Sequence, residues 1–184
     1  MKTIILSDIF GITPELKQLA SELPTEVQLL SPYDDQNLIF EDEATAYQQF
    51  STSTNITQYS QKLTTCIKAQ REPVNLIGFS VGASALWLAA SNAGTTASIV
   101  NKGIGFYSSQ IRNHLTLSSG FNIHLIFPEE EAHFDVDSVI HALANKEHVK
   151  TSKSTGRHGF MNARSVNFNQ KLYFDYLALL LAEI

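Results

Sequence analysis

Ser80 lies in "GFSVG", residues 78–82, with a glycine two positions away on either side. A serine hydroxyl attacks a carbonyl only when a neighbouring base takes its proton, and that base works best when a carboxylate orients it. The chain has six histidines from which to draw the base. His114, His141 and His148 fall in or beside helical or strand patterns without glycine company, and read as surface residues. His124 is inside the apolar run "NIHLIF" and reads as structural, while His133 follows the end of that run and stays open. His158, in "STGRHGFMNAR", occupies a glycine-bounded loop ahead of the last helical pattern and is the best base.

The G-x-S-x-G pattern arises by chance in roughly 0.06 of chains of this length, so it needs its context. The demand is a sharp strand-to-helix turn, with a strained serine backbone and glycines where neighbouring segments come close. "VNLI" before it and "ASALWLAA" after it supply a strand and a helix in that order. The start of the helix adds partial positive charge, and the N–H of Val81 can face a developing oxyanion. The plain alternative is a tight strand-to-helix connection with no chemistry.

The elements that must position these groups alternate along the chain. β-rich runs occur at 3–8, 27–32, 74–79, 103–108, 122–127 and 148–153, several of them apolar at consecutive positions. Such strands belong in a parallel sheet covered on both faces. The last run is more polar and is expected at an edge. Helical patterns fill 55–70, 82–93, 136–145 and 168–183, and "TPELKQLASEL" sets Thr13 as N-cap with Pro14 at the first helical position. Residues 108–120 are ambiguous. The acidic, then Ser- and Thr-rich stretch 31–55 reads as a surface excursion near a site, or as a connecting loop with a short helix.

At 184 residues, 43% hydrophobic and 17% charged, the chain is expected to form one domain spanning 1–184. A net charge of −5 with scattered Lys and Arg argues against nucleic acid or anionic lipid as a partner. Cys66 is the lone cysteine, the N-terminal run is broken by Asp8, and no stretch has the length of a membrane span. A cytoplasmic protein is expected. "GFSVG" is neither a dinucleotide nor a triphosphate loop, and no His and acid set has metal-ligand spacing, so no cofactor and no metal are expected; "HFDVD" reads as a helix start.

Five segments together resemble the dienelactone hydrolase family of α/β-hydrolases, in the right order over nearly the whole chain. They are "ILSDIFGITPELKQLASEL", "LLSPY", "LIGFSVGASA", "KGIGFY" and "GRHGFMNAR". The resemblance implies that the backbone N–H of Ile9, in the opening turn, is the second oxyanion donor. It implies substrate-binding roles for Asp8, Phe10 and Arg164, although Asp8 could simply cap its turn and Arg164 could be a solvated capping residue. Two departures stand out: the family proper has cysteine where this chain has Ser80, which points to serine esterase chemistry. The stretch after "SPYDD" is also abbreviated, so a family substrate wall is expected to be missing.

The same resemblance puts the triad acid after "NIHLIF", as an aspartate shortly before an aromatic residue and a helix. Setting "HFDVDSV" against that pattern leaves Ala132 in the aspartate position. Glu131 can serve after a one-residue shift, Asp135 is the next candidate, and the third reading is a solvated "EEE" run with no acid.

These readings give an α/β-hydrolase core with a six-stranded parallel sheet in the order 2-1-3-4-5-6 and helices on both faces. The loops after strands 1, 3, 5 and 6 then converge with Ile9, Ser80, Glu131 and His158. The function expected is an esterase or lactonase working through an acyl-enzyme on a small-molecule ester or lactone. The rival is a hydrolase-fold binding or interaction module with weak or no catalysis. Oligomeric state is not legible.

Overall fold

The computed structural model describes residues 1–35 and 38–184. Six strands, β1 (Lys2–Leu6), β2 (Glu26–Leu30), β3 (Val74–Phe79), β4 (Val100–Phe106), β5 (Ile123–Phe127) and β6 (Val149–Lys153), form one sheet. Their order is β2-β1-β3-β4-β5-β6 and every pairing is parallel. The helices are α1 (Pro14–Glu22), α2 (Glu43–Ser53), α3 (Ile56–Lys68), α4 (Val81–Ser91), α5 (Val136–Leu143) and α6 (Gln170–Glu183).

Successive strand residues point to opposite faces, and the core divides accordingly. Ile4 and Leu6 of β1, Leu76 of β3 and Leu125 of β5 pack with Leu63 of α3, Trp87 of α4 and Leu143 of α5. Ile5, Ile77, Ile104 and Ile126 face the other way, onto Leu19 of α1 and Leu177 and Leu180 of α6. Both faces are covered, which is why the central strands are apolar without a break. The polar strand β6 (VKTSK) lies at one edge, and β2 at the other.

Local signals account for the helix ends. Thr13 Oγ1 accepts the Leu16 N–H (3.2 Å) ahead of Pro14, and Asn169 Oδ1 accepts the Leu172 N–H (3.1 Å) at the start of α6. The ambiguous stretch 108–120 holds one 3-10 turn, Gln110–Asn113. Between β2 and α3 the long excursion contains α2, opened by a reciprocal capping box between Asp42 and Thr45. Ala46 and Phe50 of α2 are buried, so this helix is docked on the core rather than being a loose connection.

Candidate active site

Ser80 is the single residue between β3 and α4, and its backbone has φ 52° and ψ −113°. A residue with a Cβ pays a steric penalty in that region, and the fold must hold it there. Two backbone bonds do so: the Ser80 N–H donates to the Phe106 carbonyl (3.0 Å), and the Ser80 carbonyl accepts from the Ser84 N–H (3.0 Å). The flanking glycines have a direct steric reason. A Cβ on Gly82 would stand 2.5 Å from the Ser7 carbonyl oxygen, and one on Gly78 would meet the Ala83 backbone at 2.8 Å. Close approach of α4 to the end of β1 thus requires glycine, and it brings the turn after β1 beside Ser80.

Every residue of α4 from Val81 to Ala90 is buried, which explains an alanine-rich helix with little amphipathic character. Its first N–H groups have no intrahelical acceptor. That of Val81 adjoins Ser80, at the positive end of the helix.

The loop after β6 carries His158 to the serine. Ser80 Oγ and His158 Nε2 are 2.9 Å apart, and His158 Nδ1 is 2.6 Å from Glu131 Oε1. The Glu131 side chain is only 9% exposed, beneath the imidazole at 25%. Asn167 Nδ2 donates to the His158 carbonyl (3.0 Å), and the Tyr107 ring lies 5.1 Å from the imidazole, centre to centre. Gly159, next in the chain, has φ 86°, a left-handed turn that favours glycine. The two loops are also joined directly, by Glu129 N–H to Gly156 carbonyl (2.8 Å) and by an Arg157–Glu130 ion pair (2.8 Å).

Asp135, the other candidate acid, is the N-cap of α5. It accepts the N–H groups of Asp137 and Ser138, and the Ser138 hydroxyl as well. A backbone bridge pairs Glu131 with Phe134, turning the chain so that Glu131 faces His158 while Asp135 starts the helix. Among the other histidines, His124 shares a hydrogen bond with Ser152 Oγ (2.8 Å) and His148 with Asn122 Oδ1 (3.1 Å).

The turn after β1 forms the opposite wall. Asp8 Oδ1 accepts the Phe10 N–H (2.9 Å), and Tyr33 donates its hydroxyl to the Ile9 carbonyl (2.6 Å), which fixes the peptide that follows Ile9. Asn162 Nδ2 donates to Asp8 Oδ2 (2.6 Å). Burial of the Asp8 carboxyl raises its pKa to about 6, against the lowering effects of the Phe10 N–H, the Asn162 amide and nearby His158. Arg164 Nη2 donates to the Phe40 carbonyl (2.8 Å), and its guanidinium lies 5.7 Å from the centre of the Phe10 ring. The Arg164 backbone N–H also donates to Asn162 Oδ1 (2.8 Å).

A small cleft over the serine is lined by Asp8, Phe10, Glu43, Ser80, Tyr107 and His158, among others. Glu43 belongs to the first turn of α2, so that helix contributes one side of the cleft. Asn162, Tyr107, Tyr33 and Glu43 are the neighbours that sequence reasoning did not single out. Two of them were within reach: Asn162 is in the quoted histidine loop, and Tyr107 immediately follows a central strand. Among the described residues no group of three or more His, Cys, Asp or Glu converges as a metal site. Nor, among those residues, is any helix long and apolar enough to cross a membrane.

A lipase-esterase related protein from Clostridium acetobutylicum superposes with a TM-score of 0.64, over 97% of this chain and 94% of that one, at 10% identity. The chain has the α/β-hydrolase fold. A dienelactone hydrolase-like promiscuous phosphotriesterase, P91, from metagenomic libraries is similar over 97% of this chain and 84% of its own, with a TM-score of 0.60 and 11% identity. In sequence, the chain is 28% identical over 184 residues to the uncharacterized protein YczH of Bacillus subtilis, covering 96% of this chain and 89% of that one. No family model matches the sequence.

Proposed function

We propose that this protein is a serine hydrolase that cleaves a small carboxylic ester or lactone through an acyl-enzyme, in the manner of dienelactone hydrolases but with serine as nucleophile. The observation that carries the reading is the continuous hydrogen-bonded path from Ser80 Oγ through His158 to Glu131. His158 Nε2 takes the hydroxyl proton as Ser80 Oγ bonds to the ester carbon, and Glu131 accepts a hydrogen bond from the Nδ1–H, which stays on the ring, and so stabilises the imidazolium that results. The backbone N–H groups of Val81 and Ile9 receive the oxyanion. Collapse of the tetrahedral intermediate breaks the bond to the alcohol, which leaves with the proton from His158. Water, deprotonated by the same imidazole, then releases the acid and restores Ser80.

Similarity to the esterase-related and dienelactone hydrolase-like folds supports the reading, since the loops that carry acyl-transfer groups in this architecture are the ones used here. Cys66, half-buried on α3 with its thiol pKa raised by burial, suits a packing role in a cytoplasmic protein. The test is p-nitrophenyl butanoate turnover by the wild type and by Ser80→Ala. The reading expects activity in the wild type and background in the variant; equal rates would end it.

A further inference from the structure

Beside the catalytic cleft is a second, larger hollow of about 280 Å³, set between α1 and α6 on one face of the sheet. Leu16 and Leu19 of α1, Phe79 of β3, Met161 and Phe168 of the last loop, and Phe174 of α6 form most of its apolar wall. Asp8, Tyr107 and Asn162 line both this hollow and the cleft over Ser80, so the two spaces adjoin at these three residues. Its size is near the lower end of small-molecule sites, which run from about 300 Å³ upward and are mostly apolar with a few polar groups.

The exposed rim is apolar too. Phe174 is 56% exposed and Phe168 37%, so an apolar chain entering the hollow would cover aromatic surface at its mouth. The Tyr107 hydroxyl, where the two spaces adjoin, is buried and meets no hydrogen-bond partner among the described residues. The cleft over the nucleophile is lined by the acidic side chains of Asp8, ionised above about pH 6, and Glu43, while Arg164 is held against the Phe40 carbonyl and the Phe10 ring. A free carboxylate on the substrate would meet repulsion there.

We infer that the hollow between α1 and α6 holds the apolar chain of an uncharged ester whose carbonyl sits at Ser80, so that the substrates are neutral esters of medium chain length rather than carboxylate-bearing lactones. This rests on the hydrolase reading for its catalytic consequence. Its binding consequence stands apart from catalysis.

The experiment uses two series, p-nitrophenyl acyl esters from acetate to octanoate and alkyl acetates of matching length, with the p-nitrophenyl monoester of adipate as the charged counterpart of the hexanoate. Removing one methylene from water contributes about fourfold in affinity. In one of the two series kcat/KM should rise by about that factor per carbon until the hollow is full, and the series that rises tells whether the acyl or the alcohol part enters. Adipate should be at least tenfold poorer than hexanoate. Leu16→Trp, or the exposed Ala163→Trp if the first does not fold, should cut the hexanoate-to-acetate ratio at least tenfold.

Binding of the same esters to Ser80→Ala, followed by calorimetry, should show the same length preference and the same loss on filling the hollow. Absence of turnover in the wild type with that binding preference intact would remove the hydrolase reading and leave the chain site standing. Flat dependence in both series, a preference that survives filling, or equal use of adipate would overturn the inference. So would a dimer that Leu16→Trp dissolves without altering chain-length preference, because a second copy would then be the occupant.

Discussion

Asn162 Nδ2 donates to Asp8 Oδ2 at 2.6 Å, joining the turn after the first strand to the loop that holds His158. The same amide accepts the Arg164 N–H through Oδ1. One asparagine therefore ties the turn that carries Ile9 to the loop that carries His158, and the spacing between Ser80, Ile9 and His158 depends on it. Burial of the Asp8 carboxyl outweighs its hydrogen bonds from Phe10 and Asn162, which is why its proton is held unusually tightly.

Asp8 has a pKa raised to about 6 from an ordinary 3.8, so the folded protein keeps this proton over a range in which the unfolded chain releases it. Between those values the native state binds more protons, and stability falls as pH rises from about 4 to about 6. Relative to Asp8→Asn, the wild type should lose on the order of 1–3 kcal/mol across that window and nothing further above it. Urea unfolding at a series of pH values checks this. Parallel profiles for the two proteins would show that Asp8 does not titrate differently on folding.

Glu131→Gln keeps the shape of the acid and removes its charge. The imidazole then loses its imidazolium-stabilising partner, and kcat should fall by about four orders of magnitude, as in the triad template. Because Glu131 is nearly enclosed under His158, the fold should survive, which thermal unfolding verifies. Undiminished kcat would mean that His158 works without this carboxylate.

Asp135→Ala separates the second acid from the first. Losing the cap of α5 should lower stability by about 1 kcal/mol and leave ester turnover unaffected. A drop in turnover comparable to that of Glu131→Gln would give Asp135 a part in the chemistry.

Tyr107→Phe removes a buried hydroxyl that has no hydrogen-bond partner among the described residues. Unpaired buried polar groups cost about 1–3 kcal/mol, so the variant should be at least as stable as the wild type. If the hydroxyl meets a substrate oxygen, KM rises in the same variant. A clear loss of stability would show that the hydroxyl has a partner in solution.

The sheet order was legible because each strand's apolar run and each helix's start carry local signals, from Thr13 and Pro14 at α1 to the glycines around Ser80. Those glycines stand out because the close contact that demands them leaves no room for any side chain. The α2 helix was harder to see, since its Ser- and Thr-rich composition blurs an otherwise readable Asp42 and Thr45 cap. Spacing puts Glu131 ahead of Asp135 but leaves a solvated acidic run with no triad acid as an open alternative. What separates Glu131 from Asp135 is a backbone bridge to Phe134 and the demand of α5 for a cap, and both are settled only when the loop folds. The Asn162–Asp8 pair spans nearly the whole chain and leaves no periodic trace.

The central claim is that Ser80 is an activated nucleophile, and intact-mass spectrometry after treatment with a fluorophosphonate tests it most directly. We expect one adduct per folded chain, mapped to Ser80, lost in Ser80→Ala and strongly slowed in His158→Ala. A folded wild type that takes up no label, or takes it at another residue, would contradict the account.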